Sequence, residues 1–509
     1  MAFSSSSDLL LGNNNKAAAR ILSVVLCCCL VSTTESLVVS HHHHQQQQPS
    51  RIGSSRAAAF SKATTILYSS SSSSSSSNND NNDSNNNNNN NKHNDKILAQ
   101  ELKARQEALN YEEFIMEQKW RNADCQSKVS VRLEADYCRR LAVEYPLAAI
   151  GSTSGAIYVT HLETGQVLAA SSDSDILQTT TQSIDDCIQL ERLRALLHYG
   201  HGPIGTMAIA FSGDLICASN PREDLGVQVW RWNHNDMDTT TTTSTTSSSS
   251  VGSSPSASSP PSQLLFQGSM NSGLLQDKIV TCLAIEEDYL WVGTACGSLM
   301  VYSTLEDGGD TLPLTLQTEP EFQWQFSDSI LSLSLDPFLG HGLVTTSGGS
   351  VELISLEEED GKVVCTLTPP LNGGENVISC LLARITDTKY AIVCGGGDGT
   401  IWTQALKMDS YGDISQDEPV TGPLIKFRPP HAAPVKCLAN PIPGFLVSGG
   451  LDGSLRVWDL EERESLYQFV GYKIWMGSIW TDGYRLATDG SDNGITIHNF
   501  VRDDDAEDI

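Results

Sequence analysis

The sequence predicts an all-β fold assembled from a repeated multi-strand unit, and three observations carry that reading. A glycine recurs at the head of short alternating runs: Gly155 (Gly-Ala-Ile-Tyr-Val), Gly226 (Gly-Val-Gln-Val-Trp), Gly297 (Gly-Ser-Leu-Met-Val-Tyr), Gly349 (Gly-Ser-Val-Glu-Leu-Ile), Gly399 (Gly-Thr-Ile-Trp), Gly453 (Gly-Ser-Leu-Arg-Val-Trp) and Gly494 (Gly-Ile-Thr-Ile-His). These seven anchors lie 71, 71, 52, 50, 54 and 41 residues apart. Before the anchors run further apolar stretches ending in small residues, such as Leu215–Ser219, Leu290–Thr294, Leu343–Ser347 and Phe445–Gly449. Upstream again lies a third run: Ile279–Ile285, Ile330–Leu335, Val377–Leu382, Val435–Leu438 and Ile474–Ile479. Alternation with β-branched enrichment marks strands. Glycine permits the tight turn joining two of them. A period of about 40 to 50 residues with several strands per unit describes propeller blades. The expected architecture is a seven-bladed β-propeller over residues 128–500.

The chain has 509 residues and a formal net charge of -29, with 18% charged and 7% aromatic residues. That composition excludes collagen, a polytopic membrane protein and a small disulfide scaffold. The acid excess disfavours nucleic acid and polybasic membrane binding, which need neutralising Lys and Arg.

The N-terminal elements come first in the chain. Residues 1–36 hold an apolar run, Ile21–Val31, behind Arg20. It is shorter than the ~20 residues a bilayer requires and fits a signal-peptide core. Residues 37–94 form a transit-like and Ser/Asn-rich linker. From Leu37 to Asn79 no acid occurs, while Arg51, Arg56 and Lys62 stand among many serines. This is transit-peptide composition. The pair resembles the two-part leader of proteins sent into the complex plastids of secondary algae, with Ala57-Ala58-Ala59-Phe60 similar to its cleavage site. The resemblance implies a plastid destination. Ordinary secretion, or a start codon set too far upstream in a cytosolic protein, are the alternatives. The homopolymers Ser69–Ser77 and Asn-rich to Asn91 carry too little apolar surface to order themselves. Residues 95–120 contain helix formers without Gly or Pro, and Leu98, Leu102 and Leu109 approximate a seam interrupted by Arg105 and Glu112.

Within the repeats, residues 233–275, including the Thr/Ser/Pro tract Thr239–Ser262, read as a disordered insertion, which loop entropy tolerates. Ser183–His198 reads as a helix capped by Ser183, with an outer blade strand as the alternative. An eighth blade stays open if residues 171–198 hide one. Lys128–Leu133 alternates as a strand and is expected to complete the last blade, which otherwise lacks its outer strand. Residues 501–509 are an acidic tail.

The unit from His431 to Leu460 contains Leu446-Val447-Ser448-Gly449-Gly450-Leu451-Asp452-Gly453-Ser454-Leu455-Arg456-Val457-Trp458-Asp459, which resembles the WD-repeat pattern. Gly200-His201 resembles the opening of such a repeat. The resemblance implies a hydrogen-bonded structural tetrad of His431, Ser448, Asp452 and Trp458. It covers roughly residues 129–500, with one repeat matching well and six degenerate. The turn carboxylate recurs at Asp398 and Asp492 but not beside Gly297 or Gly349.

No catalytic signature stands out. Gly395-Gly396-Gly397-Asp398-Gly399 lacks the ending of a phosphate loop and precedes a strand, so it reads as a blade turn. Thirteen Cys, an odd number, include no Cys-x-x-Cys pair, so neither a metal nor a stable disulfide is expected. His41–His44 adjoins a Gln run and reads as low complexity. No cofactor is implied. Lys426, Arg428, Lys436 and Lys473 with Trp475 and Trp480 form a modest basic and aromatic cluster in the last two blades. Arg428, Lys473, Trp475 and Trp480 are the candidate partner-binding residues. The expected function is non-catalytic protein–protein scaffolding, with an adaptor acting through the helix and a propeller-based enzyme as rivals. Partners are expected to be other proteins, not nucleic acid, with no membrane span in the mature chain.

Overall fold

The computed structural model describes residues 84–133, 136–171, 206–219, 226–233, 263–276, 278–305, 313–356, 362–410, 412–415, 417–472, 476–491 and 493–501. The chain divides into Met1–Ser71 and Ser72–Ile509, and every described residue belongs to the second unit. The leader, the Ser run, the Thr239–Ser262 tract, Ser183–His198, His201 and the acidic residues 502–509 lie outside the described residues.

A helix, Ser84–Asn122 (α1), precedes the first strand, Gln126–Arg132 (β1). Blade 1 is Cys138–Glu144 (β2), Leu147–Ser152 (β3), Ile157–His161 (β4) and Gln166–Ala170 (β5). Blade 2 is Ala208–Ser212 (β6), Leu215–Ser219 (β7), Val227–Asn233 (β8) and Gln263–Met270 (β9). Blade 3 is Val280–Glu286 (β10), Tyr289–Thr294 (β11), Ser298–Ser303 (β12) and Phe322–Gln325 (β13). Blade 4 is Ile330–Asp336 (β14), His341–Thr346 (β15), Val351–Ser355 (β16) and Val363–Leu367 (β17). Blade 5 is Val377–Thr386 (β18), Lys389–Gly396 (β19), Ile401–Leu406 (β20) and Val420–Lys426 (β21). Blade 6 is Val435–Ala439 (β22), Phe445–Gly450 (β23), Leu455–Asp459 (β24) and Glu464–Phe469 (β25). Blade 7 joins Ile479–Thr481 (β26), Arg485–Ser491 (β27) and Gly494–Asn499 (β28) to β1.

All seven sheets have four strands and are antiparallel. The inner strands β2, β6, β10, β14, β18, β22 and β26 touch in succession, and β26 returns to β2. The result is a closed seven-bladed propeller. β1 closes it from the other end of the chain, pairing Gln126 with Asn499 through to Arg132 with Gly494. It covers the edge that β28 would otherwise present to solvent.

The repeat is visible in irregularities as well as in strands. Five inner strands slip register at the same place: Cys138/Arg140, Val280/Cys282, Ile330/Ser332, Val377/Ser379 and Val435/Cys437. A bulge increases local twist. Between blades lie apolar clusters, joined by single polar contacts such as Ser379 Oγ donating to Val435 O. Phe427, Trp458, Leu446, Val435, Val393 and Ile401 form one such cluster across blades 5 and 6.

Several expectations change. The helix is longer than residues 95–120 at both ends; once nucleated, a helix gains one hydrogen bond per added residue and propagates easily. The insertion is shorter than residues 233–275. Asn233 ends β8, and Gln263–Met270 is the outer strand of blade 2. Leu264, Phe266 and Met270 turn inward while Gln263, Leu265 and Gln267 face solvent, and the Phe266 ring lies 4.8 Å from that of Trp230. The inner strand of blade 7 begins at Ile479 rather than Ile474, and residues 473–475 lie outside the described residues. Six anchors, from Gly155 to Gly453, have positive φ and sit at the predicted turns. Gly494 does not; it is the first residue of β28, where a Cβ would approach the Val131 carbonyl oxygen to 2.6 Å. Close packing against β1, rather than a left-handed turn, demands glycine there.

Candidate functional site: the groove between blades 5 and 6

Blade 6 carries the most complete polar network. Ser448 is fully buried in the middle of β23, and Trp458, also fully buried, lies on β24. Trp458 Nε1 donates to Ser448 Oγ at 2.7 Å, and His431 Nε2 lies 2.7 Å from the same oxygen. His431 Nδ1 lies 3.0 Å from Asp452 Oδ2. The structure therefore brings His431, Ser448, Asp452 and Trp458 into one chain of hydrogen bonds. Burial alone would raise the Asp452 pKa. Hydrogen bonds from His431, Ser454 and the Ala432 N–H outweigh it and hold the carboxyl well below the usual range.

Other blades keep parts of this device. In blade 5, Asp398 accepts from Thr400 N at 3.0 Å and from Asn372 N and Nδ2 at 3.0 and 3.1 Å, while Trp402 Nε1 donates to Thr400 Oγ1 at 3.0 Å. Asn372 there serves the turn carboxylate as His431 does in blade 6. Blade 1 reverses the polarity: Asp136, ahead of β2, accepts from the Ser154 and Thr153 hydroxyls of the turn. Blade 2 lacks the hub. Ala218 stands at the register position of Ser448, and the buried Trp230 Nε1 has no hydrogen-bond partner among the described residues.

From the blade 6 network a side chain reaches outward. Arg456 lies four residues beyond Asp452, with Nη2 3.7 Å from Asp452 Oδ2. Its Nη1 donates to the carbonyl oxygens of Pro429 and Pro430 at 3.1 and 2.9 Å. Those prolines belong to the segment that carries the chain from blade 5 to blade 6. Arg428 N donates to Arg463 O at 3.1 Å, and Ser465 N donates to Arg428 O at 3.2 Å. The connection is thus fastened to the start of β25 by its backbone and to the tetrad through Arg456. Between these elements opens a groove of 680 Å³ lined by Lys426, Arg428, Pro429, Pro430, Glu464 and Ser465. Lys426 Nζ also lies 5.8 Å from the centre of the Trp402 ring.

The four candidate partner-binding residues are not brought together. Arg428 is exposed in the groove. Trp480 is half-buried on β26, stacked 6.1 Å from Tyr145 in the seam between blades 7 and 1. Lys473 and Trp475 lie outside the described residues. Lys436 is half-buried on the inner strand β22 rather than in the groove. Sequence reasoning overlooked Glu464, Ser465, Arg456 and the proline pair. Only Pro429-Pro430, immediately before His431, offered a local signal of a fixed connection.

A second surface is set by α1. Met116 and Trp120 are buried against Phe445, Leu486 and Phe500, with the Trp120 and Phe500 rings stacked 3.8 Å apart. Trp120 Nε1 donates to Gly483 O at 2.7 Å, and Arg121 Nη1 pairs with Asp459 Oδ2 at 3.1 Å. Farther toward the helix N-terminus the apolar residues are uncovered: Leu98, Leu102 and Leu109 are 47%, 44% and 43% exposed. These leucines share the helical face of Met116 and Trp120.

All nine described cysteines are free thiols, and burial pushes Cys217, Cys282 and Cys380 up to about 12. Among the described residues no group of His, Cys, Asp or Glu is placed to hold a metal ion. No described helix is long and apolar enough to cross a membrane.

No family model matches the chain. Kinesin-like protein KIF21B of Mus musculus is 25% identical over 201 residues, covering 38% of this chain and 11% of that protein. The WD repeat-containing protein 55 homolog of Dictyostelium discoideum is 24% identical over 180 residues, covering 35% of this chain and 39% of its own length. The chain thus spans well under two thirds of either relative. Among solved structures, the computationally designed Ika8 protein aligns with a TM-score of 0.41 and 15% identity over 73% of this chain and 99% of the design. The seven blades and the Dictyostelium relative together support a propeller of the WD-repeat kind.

Proposed function

We propose that this protein is a non-catalytic scaffold that holds other proteins on the rim of its propeller. The observation that carries this reading is the groove between blades 5 and 6. It is open and charged, yet its walls are fixed to a buried network by Arg456 and by two backbone hydrogen bonds. A preformed recess on a rigid ring lowers the ordering cost of binding. Affinity capture of the tagged full-length chain, followed by mass spectrometry, tests the reading: Arg428→Glu should deplete specific partners and leave the melting temperature unchanged. A catalogue of stoichiometric partners unaltered by that change would move the binding surface elsewhere on the ring.

The uncovered leucines favour a second reading, an adaptor that recruits a partner through α1. Leu102→Glu with Leu109→Glu should then abolish capture while Trp120 keeps the helix docked. Unchanged capture would remove α1 from consideration.

The leader reading is also our proposal: residues 1–60 direct the chain to a plastid, supported by the apolar run, the acid-free stretch and Ala57-Ala58-Ala59-Phe60. A C-terminal fluorescent fusion should light plastids and yield a mature N-terminus near Phe60. Cytosolic fluorescence with an intact leader would overturn it.

A further inference from the structure

We infer that the groove between blades 5 and 6 receives an acidic, extended segment of a partner protein. The inference rests on the scaffold reading and names the chemistry of what the scaffold holds.

Charge is the first argument. The chain carries a net charge of -29, yet Lys426 and Arg428 line one recess. Arg428 forms no ion pair or side-chain hydrogen bond among the described residues, and Lys426 Nζ lies over the Trp402 ring within the field of Asp398. A third cation, Arg456, bonds the carbonyls of the lining prolines Pro429 and Pro430, and the carboxylate it approaches, Asp452, is already committed to His431 and Ser454. Nothing in the recess neutralises the two rim cations except Glu464, which stands on the β25 side. An acidic ligand meets repulsion over most of this molecule and attraction here. Such a contrast sets docking position and register more than raw affinity.

Shape is the second argument. β25 is the last strand of its sheet, and among the described residues no further strand pairs with its outer edge. Arg428 already makes a single parallel bridge to Glu464 at the start of that edge. The bridge shows that the edge accepts a neighbouring backbone. Directly after it, Pro429 and Pro430 turn their carbonyls down to Arg456, and proline has no N–H to offer, so the connection cannot continue the ladder. An incoming extended backbone can take up the edge where Arg428 leaves it, which is the strand-addition mode of peptide recognition. Its acidic side chains then reach Lys426 and Arg428, and the exposed proline rings wall the other side. Glu464 selects against a carboxylate placed over β25 and thereby sets which side of the segment carries the acids.

The test is fluorescence anisotropy of the full-length chain with a labelled peptide rich in Asp and Glu, and with the same peptide bearing Lys at those positions. Preferential, salt-weakened binding of the acidic peptide is expected. Lys426→Glu with Arg428→Glu should weaken it at least about tenfold, and Glu464→Gln should tighten it. Intact melting of both variants shows that the fold is unchanged. Equal binding of both peptides, or no loss in the double variant, overturns the inference. A chain ending at Phe500 serves as the control for the acidic segment 501–509: peptide binding seen only after that truncation assigns the groove to the chain's own acids and overturns the partner assignment. The scaffold reading fails separately, by the absence of any stoichiometric partner of the full-length chain in affinity capture.

Discussion

Replacing Ser448 with Ala removes one oxygen atom and tests the network beneath the groove. Ser448 Oγ accepts from Trp458 Nε1 at 2.7 Å and lies 2.7 Å from His431 Nε2. Ser448 and Trp458 are fully buried, and His431 is 3% exposed. The change leaves two buried polar groups without their partner, and neither can reach water. An unsatisfied buried group costs about 1–3 kcal/mol, so with two such groups Ser448→Ala should cost about 2–6 kcal/mol. Urea unfolding followed by tryptophan fluorescence would measure the loss. A second background sharpens the test. In Trp458→Phe the indole N–H is gone, so adding Ser448→Ala should cost about 1–2 kcal/mol less than it does in the wild type. An identical cost in both backgrounds would refute the hydrogen bond and with it the tetrad as the anchor of Arg456 and the groove.

Two buried groups in blade 7 should oppose one another in pH dependence. Burial lowers His498 to about 4, so its contribution to stability is lost as pH falls from 6.5 towards 4. Burial raises Asp489 to about 6 against the hydrogen bonds from Gly477 and Ser478 and the Arg140 charge, so stability falls as pH rises from 3.8 to 6. The wild type should therefore show a shallow profile, and Asp489→Asn should unmask a gain of about 3 kcal/mol between pH 4 and 6.5 in denaturant titrations; a flat profile in the variant counts against the burial of His498. Gly399→Ala should be far more damaging than Gly349→Ala in thermal melts. Both have positive φ, but a Cβ on Gly399 collides with the His431 carbonyl oxygen while one on Gly349 meets nothing within 4 Å. Equal shifts would contradict that packing. Trp120→Ala should cost about 3–5 kcal/mol and free α1 to proteolysis, since Trp120 is fully buried against Phe500 and Phe445; an unchanged digestion pattern would show that the helix is held by something else.

Much of the ring was legible because its turns have a stringent chemical requirement. A left-handed residue between two apolar strands selects glycine, and Gly155, Gly226, Gly297, Gly349, Gly399 and Gly453 all mark such turns. The second strands are largely buried on both faces and read as apolar runs, for example Leu215–Ser219 and Phe445–Gly450, while third strands such as Val227–Asn233 alternate. Outer strands were harder to see. Val420–Lys426 and Glu464–Phe469 are largely exposed or half-buried, so their composition resembles loops. β9 was absorbed into the Thr/Ser insertion for that reason. The tetrad positions were readable because its four residues fall within one repeat. The groove was not. Its walls come from residues 426–430 and 464–465, and the Arg456 contacts that fix them span 26 and 27 positions of sequence. Tyr145 against Trp480 is a longer case, a contact across the ring seam that no local pattern announces.

The central claim is that the closed propeller exists to hold another protein. The most direct measurement is the mass of the native assembly: the full-length chain, tagged at its own locus and purified gently, with size and composition read by light scattering and mass spectrometry. The account predicts a reproducible complex heavier than 55.1 kDa that contains a second protein at fixed stoichiometry. A lone monomer under every gentle condition would contradict it.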